Sequence, residues 1–269
     1  MHVIVQLSDL HFGKTNDEVV TALVSLVQVL KPNLVVVSGD LTYRARGEEF
    51  AEALNFLQKL PVPQVVIPGN HDISLYNLWK RFIKPNELFR KIISDSLEPF
   101  YQDDYVSVLG LNTSFPLLGK GGMIRKKQLQ IIEEKFTLLD SNILKIVLTH
   151  HPLDKIWSMK KGMPLYSKES ISIGLKNKVD IFMSGHLHKS QISIVKEANA
   201  TGYNGVLLKA GTATSVRYRG EVNSFNAVFV SMESVFIQRY SWNESGQFFD
   251  KTHSQVFSRN KFGLHMVKG

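Results

Sequence analysis

The stretch Gln64-Val65-Val66-Ile67-Pro68-Gly69-Asn70-His71-Asp72 decides how this chain is read. A short run rich in β-branched residues has the form of a buried strand. It ends in glycine, then an amide, an imidazole and a carboxylate in succession. The same grammar recurs four times. Asp9-Leu10-His11 follows His2–Leu7, Gly39-Asp40 follows Leu34–Val37, His150-His151 follows Leu144–Leu148, and Gly185-His186-Leu187-His188 follows Ile181–Met183. No local structure unites these five segments. A sheet whose strand ends open on one crevice does, because ligands of open α/β sheets bind beyond the carboxyl ends of the strands. In extended chain, residues i and i+2 face the same side, so both members of Asp9/His11 and of His186/His188 reach one place. Glycine ahead of a ligand lets the backbone bend there and approach a bound group closely.

The intervening segments supply the rest of an α/β framework. Asn16 caps a helix with Asp17 and Glu18 in its first turn, and Val20, Leu23, Val24, Val27 and Leu30 keep helical spacing up to Pro32. A second helix spans Glu48–Leu60, with Phe50, Ala53, Leu54 and Leu57 on one stripe. Strand–helix–strand–helix–strand implies right-handed crossovers and a parallel sheet covered on both faces. Val106–Leu111 is a further strand, and helices are predicted over Lys126–Leu139 and near 168–177. From about 191 onward short alternating runs (Gln191–Val195, Val206–Leu208, Ala227–Ser231, Ser234–Tyr240) predict an antiparallel half, while the tail after Phe257 shows no period. The expectation is a single α/β domain over residues 1–269, with a second sheet packed near the first.

The chain has 269 residues, 43% of them apolar, and no cysteine, which excludes disulfides, thiolate metal sites and thiol nucleophiles. Its formal charge of +8 suits anionic partners: phosphate esters, nucleic acid or an acidic membrane surface. The N-terminus lacks the basic start and small-residue cleavage site of a signal peptide. The longest mostly apolar stretch, Val19–Leu30, falls short of the roughly 20 residues a bilayer requires. A soluble cytoplasmic protein is the expectation.

Donor chemistry narrows the function. Imidazole, carboxylate and amide without sulfur suit manganese, iron or zinc, and argue against a structural zinc finger. Asp40 stands alone in its segment, and its two oxygens make it the natural bridge between two ions. These five blocks, in the order D-x-H, G-D, G-N-H-D, H and G-H-x-H over residues 9–188, resemble the calcineurin-like metallophosphoesterase superfamily. The Ser-Asp-Leu-His opening and the full Gly-Asn-His-Asp resemble its bacterial cyclic-nucleotide-phosphodiesterase-like branch. The resemblance implies a four-layer α/β/β/α sandwich of two mixed sheets flanked by helices. It implies one divalent ion on Asp9, His11, Asp40 and His188, and a second on Asp40, Asn70, His150 and His186. The expected activity is a phosphodiesterase using a metal-bound hydroxide; a lipid-precursor pyrophosphatase of the UDP-diacylglucosamine type, a DNA nuclease and a non-catalytic scaffold are the alternatives.

His71, not needed as a ligand beside Asn70, would protonate the leaving oxygen. Asp72 would either orient the His71 ring or serve a turn hydrogen bond. Arg44 and Arg46, and likewise Arg217 and Arg219, would either bind substrate phosphate or stay solvated. His151 would contact substrate or bond to backbone, and Asn112, ending a strand, would face the crevice. The partner expected is a small phosphate ester, with nucleic acid not favoured. Residues 73–100 mix aromatics (Tyr76, Trp79, Phe82, Phe89, Phe100) with bases (Lys80, Arg81, Lys84, Arg90, Lys91). They read as an amphipathic helix pair packed on the core, or as a cap, a dimer contact or a lipid-facing patch. The basic, partly apolar tail around Lys261, Phe262, Met266 and Lys268 allows the same options.

Overall fold

Three parallel strands, β1 (His2–Leu7), β2 (Leu34–Ser38) and β3 (Gln64–Ile67), form the frame that positions Asp9, Asp40 and Asn70. The computed structural model describes residues 1–74, 78–154, 166–196, 202–217 and 219–267. Two crossover helices link the strands. In α1 (Asp17–Leu30) the Asn16 side chain accepts from the Glu18 amide, and Val19, Leu23 and Val27 are buried. In α2 (Gly47–Leu57) buried Glu49 reaches back to the Arg44 and Arg46 amides, closing the N-terminus over the Asp40 loop.

The remaining elements are α3 (Leu78–Ile83), α4 (Glu87–Ile92), β4 (Phe100–Gln102), β5 (Val106–Leu111), α5 (Lys126–Phe136), β6 (Leu144–Thr149), α6 (Ser167–Lys176) and β7 (Ile181–Ser184). β8 (Gln191–Lys196), β9 (Asn204–Lys209), β10 (Ser224–Val230), β11 (Ser234–Asn243), β12 (Phe248–Asn260) and β13 (Gly263–Met266) complete the chain. The hydrogen-bonded order is β3-β2-β1-β10-β11-β12-β13-β9-β7-β6-β5-β4, with β8 beside β9. A single residue pair, Gly263 with Asn204, joins β13 to β9, and the path folds over there into two facing sheets.

Burial separates three apolar cores between four layers. Phe12, Leu23, Val27, Phe50 and Phe56 pack α1 and α2 on the first sheet. Ile4, Val36, Ile67, Ile146, Met183 and Ile237 fill the space between the sheets. Leu111, Ile132, Phe136, Leu175 and Phe182 pack α5 and α6 on the second. The α/β/β/α sandwich is therefore as expected, and both sheets are mixed.

The C-terminal half is corrected. Its neighbouring strands pair antiparallel as expected, β8 with β9 and β10 through β13 in turn, but they form no sheet of their own: β10 to β12 extend the first sheet from β1, whereas β9 joins β7 in parallel in the second. The tail after Phe257, which shows no period, holds the end of β12 and β13. Its pairing runs through the main chain, so it needs no apolar alternation. The 73–100 segment is divided. Phe89 of α4 is fully buried and Leu88, Ile92, Ile93 and Leu97 pack on the first core, but Trp79, Phe82 and Ile83 of α3 are exposed. Tyr76 and Lys268 lie outside the described residues. Among those described, no helix is long and apolar enough to cross a membrane.

Candidate metal centre

The ligand segments follow β1, β2, β3, β6 and β7, so they meet at one edge of the sandwich, where the carboxyl ends of strands from both sheets open. Asp9, His11 and His188 bring ligand atoms within 4.8 Å of one another, as do Asp9, Asp40 and His150. Asp40 Oδ2 lies 3.8 Å from His11 Nε2, and its Oδ1 lies 3.4 Å from His150 Nε2. One oxygen thus faces each half of the cluster, as a bridging carboxylate requires. Asn70 Oδ1 is 3.2 Å from His150 Nε2, which is 3.3 Å from His186 Nδ1. All seven expected ligands are brought together.

Main-chain carbonyls fix the rings. The Nδ1 atoms of His11, His150 and His188 lie 3.3, 2.7 and 3.0 Å from the carbonyl oxygens of Thr42, Ser38 and Arg217. A carbonyl only accepts, so each Nδ1 carries the hydrogen and each Nε2 lone pair is left for a cation. The Nε2 atoms of His11 and His188 consequently face each other at 3.0 Å, two acceptors without a hydrogen between them. Asp9 repeats the pattern. Its Oδ2 accepts from Ser8 Oγ at 2.6 Å and the His186 amide at 2.8 Å, while its Oδ1 is buried with no hydrogen-bond partner, 3.2 Å from His188 Nε2. Lone pairs converging in a dry pocket repel unless positive charge stands among them. The donor set therefore fits divalent cations.

The backbone is bent to the same end. Asp9, His11, Asp40, His186 and His188 all have positive φ, between 51° and 73°. Such conformations cost of order 1 kcal/mol each and persist where surrounding structure over-determines them. Two glycines leave room for the carboxylates. A Cβ on Gly69 would stand 2.2 Å from Asp40 Oδ1 and 2.3 Å from the Asp40 nitrogen, and one on Gly185 would stand 1.7 Å from Ser8 Oγ and 2.6 Å from Asp9 Oδ2.

Charge is unevenly distributed. Burial raises the Asp40 pKa, but His150 and His11 more than offset it and hold the carboxyl well below its usual range. Asp9 is likewise held low, burial being outweighed by His188 and His150. Burial opposes a charge on His150, yet Asp40 and Asp9 push it up to about 9. Burial brings His11 down to about 4; burial and then His150 bring His186 down to about 3.

His71 is half-buried at the edge of the cluster, its ring 4.8 Å from that of His11. Its Nδ1 donates to the Tyr43 carbonyl at 2.7 Å, which leaves Nε2 free, and its ring stacks on that of Tyr43 at 6.0 Å. Asp72 does not touch that ring. Its buried carboxylate accepts from the amides of Gly69, Leu41 and Thr42 and from Thr42 Oγ1, at 2.8 to 3.1 Å. The orienting role expected of Asp72 belongs to the Tyr43 carbonyl, and Asp72 instead ties the Asp40 loop to the Gly69 turn. Nothing in the sequence marks Tyr43 for this, because a main-chain carbonyl has no residue code.

The arginines divide. Arg46 is exposed and pairs with Glu48, whereas Arg44 and Arg217 hold their guanidinium carbons 5.0 and 5.1 Å from the Tyr43 ring centre. Arg217 Nη1 is buried without a partner, and Arg219 Nη1 donates to the His186 carbonyl at 3.3 Å. Arg217 and Arg219 thereby brace both histidines of Gly-His-Leu-His. His151 is buried, with Nδ1 2.8 Å from Thr113 Oγ1 and its ring 4.6 Å from that of His186. Asn112 commits its Oδ1 to the Ser114 amide at 3.0 Å, in the turn that carries Thr113. The contacts of both brace the ligand layer.

Residues 2–190 match the family described as calcineurin-like phosphoesterase. A probable glycerophosphodiester phosphodiesterase of Arcobacter nitrofigilis is 24% identical over 223 residues, 80% of this chain and 75% of that protein. A probable cyclic nucleotide phosphodiesterase of Fibrobacter succinogenes is 28% identical over 173 residues, covering 61% of this chain and 60% of its own length. The yellow lupin purple acid phosphatase PPD1 shares the fold with a TM-score of 0.68 at 13% identity; the match takes in 96% of this chain and about half (53%) of the lupin protein. With its five motifs, two facing sheets and converged donors, the chain belongs to the calcineurin-like phosphoesterases.

Proposed function

We propose that this protein is a dinuclear metal-dependent phosphodiesterase acting on small phosphodiesters, with Asp9, His11, Asp40 and His188 holding one ion and Asp40, Asn70, His150 and His186 the other. The observation that carries the reading is the pair of opposed, carbonyl-locked Nε2 atoms of His11 and His188 at 3.0 Å, beside the unpartnered Asp9 Oδ1. When bound, two divalent ions (manganese, iron or zinc) would neutralise phosphoryl charge and activate water.

The chain's own groups supply the rest. His71 is held through Nδ1–H by the Tyr43 carbonyl, so that Nε2, once protonated from solvent, delivers that proton to the leaving oxygen and returns to the neutral ring. Asp72 keeps the Asp40 and Gly69 loops in register. Arg217, against Tyr43, lends a guanidinium to the substrate's anionic group. A diester suits this arrangement because its leaving group needs a proton donor and its single charge needs only a modest anion receptor.

The test is a manganese-reconstituted screen over aryl phosphodiesters, glycerophosphodiesters, cyclic nucleotides, phosphomonoesters and single-stranded DNA. His71→Ala should keep two equivalents of manganese and lose roughly 100-fold or more in turnover on the preferred diester. Turnover confined to monoesters, or a His71→Ala variant with the parent's rate, would sink the reading.

A further inference from the structure

Helix α3 carries its apolar face outward. Trp79, Phe82 and Ile83 stand at i, i+3 and i+4, a single helix stripe, and are 75%, 52% and 54% exposed. Arg81, on the opposite side, sets that orientation: its guanidinium donates to the carbonyls of Ser74 at 3.3 Å and Pro116 at 2.7 Å. The second bond fastens α3 to the turn Pro116–Leu118, whose Leu117 is 71% exposed and whose Leu118 is exposed as well. Two segments distant in sequence therefore lie side by side, each with large apolar side chains exposed. The contrast with α4, whose Phe89 is fully buried, shows that this chain buries apolar helix faces where the core offers room.

Single exposed apolar residues are ordinary; a helix stripe of three beside an excess of basic charge is not. Between Leu78 and Lys91 the sequence has five basic residues (Lys80, Arg81, Lys84, Arg90, Lys91) against one acidic residue, Glu87. Lys84, Arg90 and Lys91 line an open groove of about 510 Å³ with Ile83, in which Glu87 and Asp95 are the acidic members. Exposed Lys120 follows the Pro116–Leu118 turn. A second copy meeting this face across a two-fold axis would oppose one basic rim to the other. A sheet of anionic headgroups over an acyl boundary satisfies both features, and tryptophan is suited to that depth.

We propose that α3 and the Pro116–Leu118 turn dock on an anionic membrane surface. Trp79, Phe82, Ile83 and Leu117 enter the acyl boundary, and Lys84, Arg90, Lys91 and Lys120 meet the headgroup phosphates. The docking face adjoins the metal centre along the chain. α3 follows the Asn70–Asp72 turn, and Pro116–Leu118 follows Thr113, which bonds His151. Docking brings the metal edge to the headgroup plane and makes a phosphodiester borne by a lipid accessible; that last step rests on the phosphodiesterase reading, whereas the docking does not.

The experiment is flotation of the full chain with vesicles of phosphatidylcholine alone and of phosphatidylcholine mixed with phosphatidylglycerol, which requires neither metal nor turnover. The chain should float with the mixed vesicles and be released by high salt. Trp79→Ser with Phe82→Ser should cut the bound fraction by about tenfold or more, since buried apolar area sets the binding strength. Lys84→Glu with Lys120→Glu should remove the preference for anionic vesicles. The altered side chains are exposed, so far-ultraviolet circular dichroism and melting should match the parent. Three results would overturn the proposal: no flotation with either vesicle, equal flotation of the Trp79/Phe82 variant, or a dimer by light scattering that this variant dissociates. A chain that floats but hydrolyses no diester leaves docking standing and removes the functional reading alone.

Discussion

Three glycine-to-alanine substitutions should separate the two halves of the metal centre. At Gly69 the new Cβ would stand 2.2 Å from Asp40 Oδ1 and 2.3 Å from the Asp40 main-chain nitrogen. Ordinary contact is roughly 3.5 Å, so Asp40 must retreat by more than about 1 Å. Rotating the side chain is insufficient, because the backbone nitrogen is also in the way. Forcing such overpacking costs about 1–3 kcal/mol. Taken from ion binding, 2 kcal/mol is about 30-fold in affinity. Asp40 faces both donor groups, so both ions should weaken together. At Gly185 the obstacles are Ser8 Oγ at 1.7 Å and Asp9 Oδ2 at 2.6 Å. Ser8 can rotate away, but Asp9 then loses its Ser8 hydrogen bond, and only the ion on Asp9, His11 and His188 should weaken, by about tenfold, equivalent to 1.4 kcal/mol. At Gly47, the first residue of α2, an added Cβ meets nothing within 4 Å, and the variant should bind as the parent does and melt no lower. Calorimetric titration with manganese, with metal content of the dialysed protein as a check, reads all three. Two undiminished ions in Gly69→Ala would refute the bridging geometry, and equal loss of both ions in Gly185→Ala would refute the division of ligands.

Two further substitutions test the surroundings. Asp72→Ala deprives three buried amides of their acceptor, at roughly 1–3 kcal/mol each. Asp72 is pushed up to about 6, by burial first and then by Asp40, so removing its charge returns part of that loss. A net loss of about 3 kcal/mol is expected, seen as a lower melting temperature with and without metal; a variant as stable as the parent yet slow would restore Asp72 as the group that orients His71. Arg217→Met keeps the main-chain carbonyl used by His188 but removes the guanidinium beside Tyr43. KM for a diester should rise by about tenfold or more with kcat nearly unchanged, as expected for a lost charged hydrogen bond. A fall in kcat at constant KM would contradict an anchoring role.

The ligands were legible because each follows a short β-branched or apolar run, and a buried strand end leaves a polar side chain few destinations. The spacing of Asp9 with His11 and of His186 with His188 carried real geometric content, although positive φ at all four shows that the chain there is curled rather than extended. What stayed illegible depends on contacts remote in sequence. β1 pairs with β10 through partners such as His2 and Val230, and no local pattern announces that choice over a separate antiparallel sheet. β12 is largely polar and exposed, so its strand character lies in main-chain pairing with β11. Tyr43, Thr113 and Ser8 support the centre through a carbonyl or a hydroxyl, functions that many residues provide equally well. α3 has the spacing of a core helix but faces solvent, and only the bonds of Arg81 disclose that.

The restraint on the histidines has a consequence for how the centre assembles. Ser38 at the end of β2, Thr42 in the loop after it and Arg217 in the loop before β10 offer carbonyls, and each fixes one imidazole with its Nε2 turned inward. Those loops are themselves tied down: the Thr42 segment by Asp72, the Gly185 segment by a bond from its amide to the His150 carbonyl, and the Thr212–Ser215 segment by hydroxyls that donate to the Asp9 and Leu10 carbonyls. Ring orientation and backbone strain are thus settled by folding, so ion binding need not order the side chains again. The electrostatic cost moves the other way. Two carboxylates and a ring of lone pairs, desolvated together, destabilise the chain until positive charge enters, which is why Asp40 and Asp9 draw a proton to His150 against its burial. A divalent cation replaces that proton with more charge and more bonds, so the geometry that makes the ion-free centre expensive is the geometry that makes the loaded one tight.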